Sequence, residues 1–116
     1  MKYLMLIAGD EGDWAARSEA ARRAAYERVD AWWTRHADAG RIVGGHQLEP
    51  SSTATTVRVD ERGNATITDG PFAESKEMVG GYAVLDVADL DEALALASSW
   101  PERDTLEIRP IVRRDG

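Results

Sequence analysis

The order in which strand-like and helix-like segments follow one another is the feature that most restricts how this chain can fold. Apolar or alternating runs typical of β-strands occupy residues 2–8, 41–48, 55–59, 65–68, 79–87 and 105–112. Apolar residues at helical spacing occupy residues 18–39 and 89–100. The resulting order β-α-β-ββ-β-α-β predicts two helices on one face of a mostly antiparallel sheet, a ferredoxin-like arrangement of the α+β class.

Local signals define the ends of both predicted helices. Gly40 suits the C-terminal cap of the first helix, because glycine tolerates a positive φ angle. Asp89 and Glu92 have the spacing of a capping box at the start of the second helix, and Pro101 follows its end. Residues 10–18, which are acidic and contain a glycine, are predicted to form a loop.

Helices on one face of a sheet leave its opposite face without cover. The predicted strands at residues 2–8 and 79–87 carry apolar side chains on both sides, so the second face also needs a packing partner. In a domain of this size, the simplest partner is a second copy of the chain. The sequence therefore predicts a homodimer.

Length and composition describe one acidic domain without cysteine chemistry. The 116 residues are predicted to form a single domain, residues 1–116. The chain has no cysteine, which excludes disulfides, thiolate metal sites and cysteine nucleophiles. The net charge of −7 opposes binding to nucleic acid or to an anionic membrane. The first apolar run ends at Gly9, too early for a membrane-spanning helix, so we expect a cytoplasmic protein.

The sequence contains no ligand spacing typical of a metal or cofactor site. His36 and His46 belong to different predicted elements and lack the spacing of paired metal ligands. The glycine pairs at residues 44–45 and 80–81 lack the lysine or helix start of a phosphate-binding loop. We therefore expect neither a metal nor a cofactor.

The segment Asp69-Gly70-Pro71-Phe72-Ala73-Glu74-Ser75-Lys76-Glu77, with Gly80-Gly81-Tyr82 after it, resembles the signature of the DGPF family of YCII-related proteins. Residues 1–7, 90–93 and 107–110 resemble the first strand, second helix and last strand of that family. The resemblance covers nearly the whole chain in order. It implies a dimeric α+β barrel, in which two ferredoxin-like protomers pack sheet against sheet.

The resemblance implies little about chemistry. Some DGPF proteins are encoded beside sigma factors of the extracytoplasmic-function type, which implies a possible protein partner in sigma-factor signalling. In the wider YCII group, a His–Asp pair with its histidine in the first helix has been proposed as catalytic. Alignment on residues 40–42 places that histidine position near Val29 in this chain, so the role is not carried over.

His46 and Asp69 are the candidate catalytic residues. His46 follows two glycines on a strand that we expect to line the space between sheet and helices, where an imidazole can act as general acid or base. Asp69 is the candidate for the carboxylate that orients it, so we predict hydrogen bonding between them, directly or through one water. The alternatives are a strand histidine that faces water and an aspartate that bonds to backbone N–H groups of its turn.

Four residues of the signature segment are candidates for ligand binding, namely Phe72, Glu74, Lys76 and Glu77. Their charges could form a polar cluster at the mouth of a pocket, with Lys76 holding an anionic substrate. Alternatively, they form a solvated loop whose ion pairs contribute only about 0–1 kcal/mol each.

Two functions from different classes are compatible with these features. The first is a small-molecule enzyme or binding protein that uses His46 and Asp69 in a pocket between sheet and helices. The second is a non-catalytic regulatory or interaction module, in which residues 69–77 contact a partner protein.

Overall fold

A computed structural model describes residues 1–114 of the chain. These residues form β1 (Lys2–Gly9), α1 (Glu11–Ala16), α2 (Glu19–Asp38), β2 (Ile42–Gln47), β3 (Thr55–Val59), β4 (Ala65–Asp69), β5 (Met78–Asp86), α3 (Leu90–Ser98) and β6 (Thr105–Pro110). A short 3₁₀ turn at Ser51–Thr53 precedes β3.

The central sheet contains four strands in the order β2-β5-β1-β6. All of its strand pairs are antiparallel. The segment containing α2 connects β1 to β2, and α3 connects β5 to β6, so each connection passes over one intervening strand. This pattern is that of ferredoxin-like topology, and it confirms the predicted α+β class with an antiparallel sheet.

One face of the central sheet packs against the helices. Tyr3 and Met5 of β1 are buried there beside Ala83 and Leu85 of β5. The buried helix residues that join this core are Trp32, Ala93, Leu96 and Ala97. Full burial of one large apolar side chain contributes about 1.5–3 kcal/mol, so this layer is a main source of stability.

The predicted signals at the helix ends are confirmed where the structure shows side-chain caps. At the start of α3, Asp89 Oδ1 accepts a hydrogen bond from the Glu92 backbone N–H at 2.9 Å. In return, Glu92 Oε2 accepts one from the Ala88 backbone N–H at 3.0 Å, which completes the capping box. Ser18 Oγ caps α2 in the same way, by accepting from the Ala21 N–H at 3.0 Å.

The prediction of a loop at residues 10–18 is wrong for Glu11–Ala16, which form α1. Asp10 Oδ1 caps this helix by accepting from the Asp13 N–H at 3.0 Å. Trp14 then packs edge-to-face on Tyr26 of α2, with ring centroids 5.3 Å apart. This cap and this packing outweigh the low helix propensity of Gly12.

β3 and β4 form a separate two-stranded sheet, which confirms the hairpin predicted over residues 55–68. Every residue of the two strands except Thr56 is exposed. The radius of gyration is 16.4 Å, compared with about 13 Å for a compact chain of this length. The hairpin therefore projects from the central sheet instead of packing on it.

Gly45 allows Trp33 of α2 to lie directly against β2. Its φ angle is +142°, and a Cβ atom at this position would stand 2.6 Å from Trp33 Cη2 and 2.9 Å from Ala83 Cα.

We expect Gly45→Ala to lower the free energy of unfolding by about 2 kcal/mol or more, through crowding and backbone strain. Chemical denaturation measures the loss. The control is Gly44→Ala, whose Cβ would lie 3.9 Å from Val84 Cγ2 and should cost less than about 1 kcal/mol. Equal losses for the two variants would contradict the expectation.

Candidate functional site

The face of the central sheet that points away from the helices carries apolar side chains. Leu4 and Leu6 of β1 are paired with Val84 and Tyr82 of β5, and directly paired residues of an antiparallel sheet share one face. All four side chains are only half-buried, because no helix of residues 1–114 lies over them. We call the surface formed by Leu4, Leu6, His46, Tyr82 and Val84 the open face.

The rim of the open face is charged but balanced. Lys2 is paired with Asp86 across β1 and β5, and Glu107 and Arg109 extend the face onto β6. Two cations thus accompany two anions, although the chain as a whole carries a net charge of −7. The electrostatic repulsion between copies of this protein is therefore weak at this surface.

His46 lies on β2 at one side of the open face. It is paired with Tyr82, and the two rings meet edge-to-face with centroids 6.0 Å apart. The imidazole is exposed and has no hydrogen-bond partner among residues 1–114. It is therefore free to donate a proton to, or accept one from, a bound molecule.

The expectation that His46 lines the space between sheet and helices is wrong, and a β-bulge is the reason. Ile42 is paired with Leu85 and Gly44 with Val84, so Val43 is an extra residue without a direct partner. One extra residue transfers every later side chain of the strand to the other face. Ile42 therefore points towards the helices, whereas His46 points away from them.

Asp69 is the last residue of β4 and lies opposite Thr55 in the hairpin. It belongs to a different sheet from His46, and within the described residues no hydrogen bond or ion pair joins the two side chains. Their pairing stays a prediction. The alternative was that the Asp69 carboxylate bonds to backbone N–H groups of its turn. Among residues 1–114, this carboxylate makes no hydrogen bond to the backbone.

The turn after Asp69 is held by other bonds. Gly70 has a φ angle of +98°, which glycine adopts without strain. Its N–H donates to the Ala54 carbonyl at 2.7 Å, and its own carbonyl accepts from Thr56 Oγ1 at 2.7 Å. The start of the signature segment is thereby fixed to the base of the hairpin.

The four candidate ligand-binding residues divide between two surroundings. Lys76 and Glu77 line an open cleft of about 370 Å³ at the end of β1. Phe72 and Glu74 do not line this cleft, and the Phe72 side chain is 77% exposed. His46 is also absent from the cleft lining, so the candidate residues do not share one pocket within the described part of the chain.

The cleft contains charges of both signs. Asp10 is occupied as the cap of α1, and Asp104 Oδ2 accepts a hydrogen bond from Trp100 Nε1 at 2.9 Å. Lys76 and Arg103 make no ion pair among residues 1–114. With Asp13 and Glu77, the lining holds four carboxylates against these two cations, so the cleft has a net charge of −2 and does not favour an anion over a cation.

Two polar arrangements in the structure carry no signal in the sequence. The first joins Glu102 to Arg28 at 2.7 Å and to Arg17 at 3.1 Å. The hydrogen bond from Arg28, supported by that from Arg17, outweighs burial and lowers the pKa of the Glu102 carboxyl. This cluster connects α2 to the segment after α3. The role is structural, and the sequence does not reveal it because the three residues are far apart along the chain.

The second arrangement surrounds His36, the buried histidine of α2. Its Nδ1 atom accepts a hydrogen bond from Arg41 NH1 at 2.8 Å, and its ring lies 4.8 Å from the Trp32 ring. Burial, together with the charges of Arg41 and Arg35, lowers the pKa of His36 from its usual value near 6.5. His36 is therefore a neutral core residue, and His46 is the accessible histidine.

The described residues offer no site for a metal and no membrane span. Within residues 1–114, no three His, Asp or Glu side chains are grouped so that they could hold a metal ion. None of the helices in the same range has both the length and the apolar character needed to cross a bilayer.

The fold and the open face define a ferredoxin-like α+β protein whose sheet is covered by helices on one side. The YCII-related domain family matches residues 1–114. An uncharacterized protein of Rhizobium meliloti (strain 1021) is 32% identical over 115 residues, which cover 96% of this chain and 92% of that protein. The chain therefore belongs to the YCII-related family, as the signature segment predicted.

The neutral state of His36 predicts a loss of stability in weak acid. The unfolded chain binds a proton at this residue near pH 6.5, whereas the folded protein binds it only at lower pH. The contribution of neutral His36 is thus complete above about pH 6.5 and falls below it, with a slope of at most about 1.4 kcal/mol per pH unit. Urea denaturation between about pH 7.5 and 5 measures this slope.

His36→Gln should flatten the dependence of stability on pH in this range. The matched control is His46→Asn, which removes the exposed histidine and should retain the slope. A wild-type slope that survives in His36→Gln would show that another group is responsible.

Proposed function

We propose that this protein is a cytoplasmic homodimer that binds a small organic molecule between the open faces of its two protomers, with His46 as general acid or base. The observation that carries the proposal is the position of an accessible histidine on an uncovered apolar sheet face. The chamber is formed by two sheets and replaces the pocket between sheet and helices.

The dimer follows from the way the layers of the domain pack. The helices occupy one side of the central sheet, so the other side must be covered by material outside residues 1–114. The open face is apolar at its centre and electrically balanced at its rim, which suits a self-complementary contact around a two-fold axis.

The chemistry of the chamber rests on His46 and its surroundings. An imidazole held beside Tyr82 above Leu4 and Leu6 can exchange a proton with a ligand that has an apolar body and one polar group. Asp69 keeps its proposed role of orienting His46, which requires the hairpin of either protomer to approach the chamber. Lys76 and Glu77 keep their proposed role as polar contacts for the ligand, which requires the cleft at the end of β1 to open into the chamber.

Thermal melting with a panel of small aromatic and aliphatic carboxylic acids tests this function. A ligand at 100 times its Kd stabilises the folded protein by about 2.7 kcal/mol, a rise of several degrees in Tm. His46→Asn should weaken the best ligand at least about tenfold, the loss expected for one charge-assisted hydrogen bond. The control Glu27→Gln changes an exposed position on α2 and should bind like the wild type. Equal binding by His46→Asn, or a monomeric wild type, would exclude the proposed chamber.

A second function is favoured by the exposure of Phe72. This large apolar side chain is 77% exposed in the middle of the signature segment, which is unusual for a residue without a partner. A protein that docks on residues 69–77 would bury it. In that case the chain is a non-catalytic module, and a component of sigma-factor signalling is the proposed partner.

The second function predicts a specific dependence on Phe72. A tagged wild-type chain should retain one protein from native lysate at equal stoichiometry, and Phe72→Ser should lose it. Val112→Ser is the matched control, because Val112 is 78% exposed but lies outside the signature segment. Equal retention by both variants would show that the contact does not involve Phe72.

A further inference from the structure

The hairpin of β3, β4 and their turn, residues 55–69, has an exposed face that is apolar beyond its base, where Thr55 and Asp69 lie. We call this hairpin the arm. Val57 is paired with Ile67 and Val59 with Ala65, so these four side chains share one face. Val57, Val59 and Ile67 are 56%, 67% and 71% exposed.

The other face of the arm is polar throughout. Thr56 is paired with Thr68, and Arg58 with Thr66. Alternation of this kind is typical of a strand pair with one face in water and one face packed. The sequence of the arm is therefore suited to packing that the chain itself does not provide within residues 1–114.

The base of the arm is fixed, so the arm does not fold back freely over its own sheet. Gly70 N–H donates to the Ala54 carbonyl at 2.7 Å across the two ends of the hairpin. Just before β3, the Ser51 N–H donates to Glu11 Oε2 at 2.7 Å, and the Ser51 hydroxyl donates to the other oxygen of the same carboxylate. These bonds tie the arm to α1 and hold it away from the core.

Charge favours a second copy of the chain over nucleic acid or an anionic lipid surface as the partner of the arm. Arg58 and Arg62 balance Asp60 and Glu61 in the strands and turn, and Asp69 at the base leaves the arm with a net charge of −1 in a protein of net charge −7. The rim of the open face is balanced, so most of the excess of negative charge lies elsewhere in the molecule. An arm seated on another copy therefore meets little repulsion, and it has no net positive charge with which to attract nucleic acid or an anionic lipid surface.

We infer that the arm of each protomer packs its apolar face on the partner protomer, so that two exchanged arms clasp the dimer. A two-fold axis makes the contact twice, and it covers the arms in the same assembly that covers the open faces. This inference rests on the proposed homodimer and adds a second contact to it.

Sedimentation equilibrium of paired variants tests the clasp. Ile67→Asp places a carboxylate on the apolar face, whereas Thr66→Asp places the same charge on the polar face one residue away. We expect Ile67→Asp to raise the Kd of the dimer at least about tenfold, because the carboxylate must either be buried between the protomers or force the arm away from its partner. Thr66→Asp should change the Kd less than about twofold, because its side chain stays in water.

A gentler variant separates weaker packing of the arm from loss of the fold. Ile67→Thr keeps a β-branched side chain and should still raise the Kd about threefold, with an unchanged circular dichroism spectrum. Equal Kd values for Ile67→Asp and Thr66→Asp in a dimeric wild type would overturn the clasp, as would an unchanged Kd for Ile67→Thr.

The variant Leu6→Asp distinguishes failure of the clasp from failure of the proposed function. If Leu6→Asp dissociates the wild-type dimer and Ile67→Asp does not, the chamber is supported and the clasp is excluded. If only Ile67→Asp weakens the dimer, the clasp is supported and the chamber is excluded. A monomeric wild type excludes both.

Discussion

Because α2 and α3 pack on the same side of the central sheet, the side chains on the opposite face of β1 and β5 have no cover within residues 1–114. Leaving Leu4, Leu6 and Val84 in water forfeits about 25 cal/mol for each Å² of apolar surface that a partner would bury. The arm adds a second uncovered apolar surface on a two-stranded sheet, a structure that is only marginally stable by itself. The proposed assembly with a second copy would cover both surfaces.

Much of the fold can be predicted from the sequence, because the signals involved are local. The capping box of Asp89 and Glu92 and the alternation in β3 act over a few residues, and both appear in the structure as expected. The face of His46 could not be predicted, because it depends on which residue of β2 lacks a partner. The glycines suggest a bulge there, but its placement at Val43 is decided by the register against β5.

The polar interactions between segments that are distant in sequence also could not be predicted from the sequence. Glu102 meets Arg17 and Arg28 across 85 and 74 positions of the chain, so no periodicity relates them. The position of Asp69 is a similar case, since its turn is evident in the sequence but the direction of the arm is not. That direction depends on bonds such as the one between Ser51 and Glu11, which form only after the sheet and α1 are in place.

The distribution of charge explains how one acidic chain can associate with itself. The rim of the open face is balanced and the arm carries a net charge of −1, so −6 of the net charge of −7 is carried by the rest of the molecule. The start of α3, for example, exposes Asp89 and Asp91, and α3 contains no basic residue. Contacts through such a surface are opposed by repulsion between like charges, whereas contacts through the open face and the arm are not. In the proposed dimer, apolar surface therefore supplies the drive to associate, and the placement of the acidic residues restricts which surfaces can meet.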